Sequence, residues 1–242
     1  MARTFAIGDI HGGLKALQQL LEKIEITEND QLIFLGDYVD GWSDSANVIS
    51  FLIELGKKYT CIFLRGNHDD LVQQWLQDQS YTDKWIEHGG QSSIDSYAKL
   101  SEETIQSHLS FFQELQNYYI DTENRLFLHA GFTNLHGPEY EYYSTGFYWD
   151  RTLWETVLAL DPKLKKNHPF YPKRIKLFNE IYIGHTPVTR IGEDEPIQKA
   201  NVWNVDTGAA FKGKLSAINI DTKKVHQSAP VYTFYPDENG RN

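Results

Sequence analysis

One unit, repeated three times in the first third of the chain, limits what it can fold into. Each copy is a short apolar run, a loop rich in Gly, Asp, His and Asn, and a stretch with apolar residues at helical spacing. The first runs Thr4-Phe5-Ala6-Ile7, then Gly8-Asp9-Ile10-His11-Gly12, then Leu14, Leu17, Leu20, Leu21 and Ile24. The second runs from Gln31 to Leu35, through Gly36-Asp37-Tyr38-Val39-Asp40-Gly41-Trp42, to Ala46, Val48, Ile49, Leu52, Ile53 and Leu55. The third runs from Tyr59 to Leu64, through Arg65-Gly66-Asn67-His68-Asp69, into an amphipathic segment opening at Leu71. Short apolar runs bounded by turn residues read as strands buried on both faces. Alternation of strand and helix at this spacing implies βαβ crossovers and a mostly parallel half-sheet. The polar loops then emerge at the carboxyl edge of the sheet, where open α/β folds keep their ligands.

Two more strand ends of this kind follow. Tyr118-Tyr119-Ile120 and Arg125 to Leu128 read as strands about a polar turn, and the second delivers His129-Ala130-Gly131. Glu180 to Ile183 ends in Gly184-His185-Thr186-Pro187. Between the third and fourth strands, residues 71–117 are helical in pattern, with Trp75, Trp85, Ile86, Leu109, Phe112 and Leu115 apolar and His88-Gly89-Gly90 as a break. This insertion is expected to form a helical cap. Residues 132–178 alternate aromatic and basic side chains, and only Trp149 to Leu160 reads as helix. A long loop lying over the site is expected there, although packing against the domain is the better reading for most single rings. Val202 to Val205, Leu215 to Ile220 and Val225 to His226 are separated by turn residues, which suggests antiparallel pairing in a second sheet. The polar stretch after Tyr235 is expected to fray.

With 242 residues, 40% of them hydrophobic, one sizeable core is available, and a single domain over 1–242 with these two insertions is expected. No apolar run approaches the roughly 20 residues of a membrane span, and the first residues enter a strand pattern directly, so a cytoplasmic protein without a membrane partner is expected. A formal charge of -10 argues against nucleic-acid binding, which needs a basic stripe, while clustered carboxylates invite bound cations. The one cysteine, Cys61, sits in an apolar strand and is read as a reduced, buried thiol with no catalytic role.

Asp9, His11, Asp37, Asn67, His129 and His185 are oxygen and nitrogen donors from five strand ends. Such a set suits two borderline divalent ions better than structural zinc, which would favour thiolates. Asp37 could bridge them. Two ions about 3.5–4 Å apart lower the pKa of a shared water toward about 7 and stabilise attacking and leaving oxygens, the chemistry of phosphate ester or anhydride hydrolysis. His68 adjoins Asn67 and so reaches the site without being a ligand; a neighbouring carboxylate would favour its acid form. His88, His108, His136, His168 and His226 are read as surface or turn residues.

The strings at 8–12, 36–40, 66–69, 129–131 and 184–186 resemble, in order and spacing, the motif series of the calcineurin-like metallophosphoesterases. The resemblance is strongest to the phosphoprotein phosphatase branch, above all its bacterial members and the symmetrical diadenosine tetraphosphatases. Gly89-Gly90 to Ser96-Tyr97, Trp149-Asp150-Arg151, Val205-Asp206-Thr207-Gly208 and Gly213-Lys214-Leu215 are further matches, and the likeness spans roughly residues 4–221. It implies a four-layer α-β-β-α sandwich of two mixed sheets with a helical cap insertion. It also implies Asp9, His11 and Asp37 around one ion and Asp37, Asn67, His129 and His185 around the other, with manganese the first candidate and iron or zinc alternatives. His68 becomes the proton donor to the leaving group, oriented by Asp40.

One departure stands out, because the branch carries arginine directly after the position of Asp40 and this chain has Gly41-Trp42. Asp69 also stands where the eukaryotic protein phosphatases have glutamate. Arg151 is then the remaining phosphate clamp. Arg65 is a second candidate, although bracing its own loop is the better reading; Lys173 and Arg174 are possible substitutes, and Gly41→Arg is expected to improve turnover of small esters. The first functional expectation is a phosphomonoesterase, with serine/threonine phosphoproteins among its substrates. The alternative is a dinucleoside polyphosphate hydrolase whose aromatic segment stacks on the base. A non-catalytic scaffold is the third, disfavoured by the presence of all six donors and His68.

Overall fold

In the computed structural model, which describes residues 2–241, the three repeats form β1 (Thr4–Ile7), α1 (Leu14–Ile24), β2 (Gln31–Phe34), α2 (Ser45–Gly56), β3 (Thr60–Phe63) and α3 (Asn67–Asp78). The insertion contains α4 (Asp83–Trp85), a π turn over Ile86–Gly90, α5 (Gln91–Tyr97) and α6 (Glu102–Glu114). Then come β4 (Tyr118–Ile120), β5 (Arg125–Leu128), α7 (Gly146–Trp149), α8 (Thr152–Leu158), β6 (Glu180–Ile183), β7 (Ile197–Lys199), β8 (Val202–Asn204), β9 (Lys214–Asn219) and β10 (Val225–Pro230). Two five-stranded mixed sheets result, in the orders β10-β9-β1-β2-β3 and β4-β5-β6-β8-β7.

Period-two alternation along the strands sets the layers. Phe5, Ile7, Leu32 and Phe34 point into a core with Leu17, Leu20, Ile49 and Leu52 of α1 and α2. The intervening Ala6 and Ile33 meet Phe127 and Tyr182, which face inward from β5 and β6. Leu126, Leu128, Ile181 and Ile183 point the other way, onto Phe132, Leu153 and Trp154. Helix, sheet, sheet, helix is therefore the order, as the resemblance implied. At the interface between the sheets the Phe127 and Tyr182 rings stack with centroids 4.9 Å apart.

The strands after residue 200 depart from expectation. They do not make a sheet of their own: β8 runs parallel to β6 in the second sheet, whereas β9 and β10 return to the first sheet, antiparallel to each other, with β9 antiparallel to β1. The reason is burial on both faces. Leu215 and Ala217 belong to the outer core and Ile218 to the inter-sheet core, which only a strand inside the sandwich can satisfy. The unanticipated β7 carries one apolar residue, Ile197, at a sheet edge and gives no periodic signal.

The two insertions behave less like lids than expected. Helices α5 and α6 pack beside α2 and α3, and apart from Leu71 only the corner from Thr82 to His88 reaches the cavity at the strand ends. Segment 132–178 covers the outer face of the second sheet: Phe132, Phe147, Tyr148, Trp154, Tyr171 and Phe178 are all buried there. From this segment only Trp149 and Arg151 line the cavity. Nor do residues 236–241 of the polar end hang free; Asn242 lies outside the described residues. Tyr235 stacks on Trp42 at 5.3 Å, Ser43 donates to Glu238 through N at 2.9 Å and Oγ at 2.6 Å, and Arg241 N donates to Ala210 O at 2.8 Å. His108, expected at the surface, is buried between Ser50 Oγ at 2.9 Å and Tyr97 OH at 3.0 Å, and burial lowers it to about 4. Burial pushes the half-buried Cys61 thiol up to about 12, which leaves no thiolate for chemistry. Among the described residues no helix is long and apolar enough to cross a membrane.

Because Phe127 fills the seam between the sheets, Phe127→Ala is predicted to lower unfolding stability by about 3–5 kcal/mol. Equilibrium urea unfolding measures it, and a loss below about 1 kcal/mol would mean the seam is not the tight interface described here.

Candidate active site

The loops after β1, β2 and β6 hold side chains inward by adopting backbone conformations that L-residues rarely take. His11 (φ 52), Asp37 (φ 53), Asp40 (φ 67) and His185 (φ 68) all lie in the left-handed region. Such conformations cost free energy and persist where surrounding contacts fix them. Asp69 supplies much of that fixing. Its carboxylate accepts from the backbone N–H groups of Gly66, Asp37 and Tyr38, each at 2.8 Å, and so ties the loop after β2 to the start of α3. The approach is close: a Cβ on Gly66 would lie 2.2 Å from both Asp37 N and Asp37 Oδ1. His68 N also donates to Asp37 Oδ1 at 2.9 Å.

All six donors meet at one edge of the sandwich. Potential ligand atoms of Asp9, His11 and Asp37 lie within 4.8 Å of one another, as do those of Asp37, His129 and His185, so Asp37 is common to both groups. His11 Nε2 and His129 Nε2 are each 3.4 Å from Asp37 Oδ2. Asn67 Oδ1 lies 3.2 Å from His129 Nε2 and 2.9 Å from His185 Nδ1. Ions held at about 2.0–2.2 Å place neighbouring donors about 3–3.5 Å apart, which these separations match. Outer contacts orient the rings: His11 Nδ1 donates to Val39 O and Asp40 O at 3.0 and 2.9 Å, and His129 Nδ1 donates to Leu35 O at 2.8 Å. Each leaves Nε2 facing the centre, the usual arrangement for a ligating histidine.

The electrostatics fit cations as well. Burial and the Asp206 carboxylate push Asp9 well above the carboxylate range. Burial opposes ionisation of Asp37 too, yet His129, His68 and His11 hold it well below that range. His129 is driven up to about 10, Asp37 overcoming the effect of burial, whereas burial holds His11 and His185 well down. Burial and neighbouring carboxylates thus work against negative charge on Asp9, while Asp37 favours positive charge on His129. Divalent ions at the same donors would supply the balancing charge directly.

Next to the donors stands a hydrogen-bonded pair. His68 Nδ1 is 2.6 Å from Asp40 Oδ2, which leaves Nε2 as the free ring nitrogen of a cavity-lining residue. Asp40 also accepts from Trp85 Nε1 at 2.6 Å and Ser93 Oγ at 2.5 Å. Sequence reasoning missed Trp85 and Ser93 as polar partners, because their partner lies 45 and 53 residues away and neither periodicity nor spacing marks it. It also gave no role to Asp206, a cavity-lining carboxylate that burial raises to about 6. A signal for Asp206 existed, since it follows a strand as Asp9 and Asp37 do.

The basic residues sort differently from expectation. Arg151 lines the cavity with its Nε 3.3 Å from His185 Nε2. Arg65 does not line it: its guanidinium donates to the Gln73 side chain and to Phe112 O at 2.6 Å, so it braces the loop and the phosphate-binding expectation falls. Arg174 is buried, donating to Phe132 O at 2.6 Å and Thr152 Oγ1 at 2.9 Å, and exposed Lys173 lies outside the cavity lining. Neither substitutes for a clamp. Lys84, Arg190 and Arg241 are cavity residues that the sequence did not single out, and His88, read as a surface or turn residue, also lines the cavity. The Gly41→Arg expectation also falls, because Gly41 has φ 122 and a Cβ there would meet His11 O at 3.2 Å and Arg241 Cγ at 3.3 Å.

The arrangement gives a test. Asp69→Asn should leave at least one buried N–H facing the wrong side of an amide, lowering stability by about 1–3 kcal/mol. It should also weaken manganese binding roughly tenfold to a hundredfold through the displaced Asp37 loop. Thermal melts and metal titration check this; unchanged manganese affinity would show that Asp69 does not position the donors.

Comparison with known proteins agrees with this geometry. A bis(5'-nucleosyl)-tetraphosphatase PrpE, asymmetrical, of Oceanobacillus iheyensis is 28% identical over 247 residues, covering 96% of this chain and 94% of the relative. A solved structure provisionally named a diadenosine tetraphosphatase superposes with a TM-score of 0.63 at 18% identity, covering 93% of this chain and 92% of the other. A Saccharomyces cerevisiae protein serine/threonine phosphatase superposes with a TM-score of 0.62 at 14% identity, covering 94% and 80%. At those identities the superpositions speak for the fold alone. Residues 2–202 match the calcineurin-like phosphoesterase family, and the chain belongs to it.

Proposed function

We propose that the chain hydrolyses bis(5'-nucleosyl) tetraphosphates, cleaving asymmetrically to a nucleoside triphosphate and a nucleoside monophosphate at a two-ion centre, with manganese as the metal. This reverses the order set by the sequence, which led with phosphomonoesters and phosphoproteins. The observation that carries it is the cavity, about 410 Å³, in which Lys84, Arg151, Arg190 and Arg241 surround the donor cluster and Trp149 and Phe211 stand among them. Four cations exceed the need of a single phosphoryl group but suit a polyphosphate chain, and the exposed ring of Trp149 suits a base. The name of the Oceanobacillus iheyensis relative supports the same substrate and cleavage pattern.

In this reading Asp9, His11 and Asp37 hold one ion and Asp37, Asn67, His129 and His185 the other. Ions bound there supply Lewis-acid polarisation of the phosphoryl oxygens and a water acidic enough to attack near neutral pH. Arg151 holds equatorial phosphoryl oxygens, over which the transition-state charge is spread. His68 gives its Nε2 proton to the leaving oxygen, and Asp40, bonded to Nδ1, keeps the ring oriented. Trp85 and Ser93 hold Asp40 in turn, so the relay has a fixed anchor.

Diadenosine tetraphosphate should yield ATP and AMP on chromatography; two molecules of ADP would overturn the asymmetrical pattern, and no turnover with manganese present would overturn the substrate. Chelation should abolish activity and manganese restore it, with Asp37→Asn the most damaging change among the six donors. His68→Asn should keep its manganese yet lose about a hundredfold to ten-thousandfold in kcat, at the low end for substrates whose leaving oxygen is weakly basic. Asp40→Asn should cost less, and the double variant little more than His68→Asn alone. Loss of manganese from His68→Asn would make His68 a ligand and remove it as the proton donor.

A further inference from the structure

The arginine absent after Asp40 has a counterpart 200 positions away. A Cβ on Gly41 would meet His11 O at 3.2 Å and Cγ of Arg241 at 3.3 Å, so the Arg241 side chain passes directly beside the position where the side chain is missing. From there the guanidinium passes over the Phe211 ring, 5.5 Å from its centroid, and brings Nη1 to 3.4 Å from His11 Nε2. Arg151 stands in the matching relation to the other donor group, 3.3 Å from His185. Arg241 Nε is buried and has no hydrogen-bond partner among the described residues. Beside an aromatic face and at a cavity wall, this guanidinium makes one long contact through Nη1 and keeps an unpartnered Nε donor.

The delivery of Arg241 depends on the residue next to Gly41. Trp42 is fully buried; its Nε1 donates to Ala209 O at 2.8 Å and its ring stacks on Tyr235. Tyr235 OH donates to Asp44 Oδ2 at 2.8 Å, and Glu238 is held by Ser43. The stretch from Trp42 to Asp44 is thus the platform on which segment 235–241 is seated. With Gly41 where the resembling branch has arginine, that guanidinium is missing from position 41, and Trp42 beside it builds the dock that brings Arg241 in.

We propose that Arg241 is the second phosphate-binding guanidinium of this site, supplied by segment 235–241 and paired with Arg151. The inference rests on the phosphohydrolase reading above and names a specificity residue within it. A guanidinium presented from a docked segment couples phosphate binding to the seating of that segment, which an arginine fixed at 41 would not do.

The test uses manganese-loaded full-length protein with inorganic phosphate as probe. Arg241→Ala should weaken phosphate binding by calorimetry and raise its inhibition constant, each roughly tenfold to a hundredfold, with a similar fall in kcat/KM on diadenosine tetraphosphate. Manganese content should not change. Arg241→Lys should recover part of the affinity but not all, because an ammonium keeps the charge and loses the fork. Guanidinium ion at non-denaturing concentration should partly rescue Arg241→Ala and leave Arg241→Lys unaffected. Unchanged phosphate affinity in Arg241→Ala would overturn the proposal, as would loss of manganese, which would make Arg241 a support for His11. If the wild type hydrolysed no phosphoester, the functional reading would fail by itself, and phosphate calorimetry would still decide the role of Arg241.

Discussion

Five carboxylates are buried at one edge of this sandwich, and the local structure is arranged around keeping them there. Asp9, Asp37, Asp40, Asp69 and Asp206 are each at most 3% exposed. A buried carboxylate is costly unless it is paired or hydrogen-bonded. Asp69 is satisfied by three backbone N–H groups and Asp40 by an imidazole, an indole and a hydroxyl. These two spend their oxygens on protein partners and act as fasteners. Asp37 and Asp9 face histidines and one another, and burial together with its carboxylate neighbours draws Asp9 toward the protonated form. The division separates the carboxylates that hold loops from those with capacity left for cations.

The sandwich makes that concentration of charge affordable. Parallel strands in both sheets end at the same edge, and their apolar alternation buries each strand between a helical layer and the opposite sheet. Strand ends anchored on both sides cannot drift, so the strained loops that follow them inherit fixed starting points. Backbone at positive φ in His11, Asp37, Asp40 and His185 is the local cost of turning side chains back toward a common centre. Asp69 and the glycine at 66 then lock the loop after β2 to the one after β3.

Around this rigid base the cavity wall is assembled from distant parts. Trp85 and Lys84 come from the insertion, Trp149 and Arg151 from the layer over the second sheet, Arg190 from the turn after β6, and Arg241 from the segment seated on Trp42. The donor centre and its wall are therefore separable in origin. A fixed centre sets the reaction class, whereas the wall sets which phosphate compound fits.

The sequence by itself determined the strand ends and what they carry. Short apolar runs, glycines and a polar residue at the same place in each unit are local signals, and β1, β2, β3, β5 and β6 appear where those signals put them. It fell short wherever a residue's meaning depends on a partner remote along the chain. Lys214 to Asn219 carries apolar residues on each face, Leu215 and Ala217 on one and Ile218 on the other, but which sheet receives it depends on where both cores lie. The rings of 132–178 are aromatic whether they pack inward or cover a site. Trp42 reads as a substitution in a motif until Tyr235 is found lying on it, and Arg241 reads as one more charge in a polar stretch until that stretch is seen docked. Tertiary structure decided these because packing and hydrogen bonding are properties of pairs, and a sequence pattern reports only one member of each.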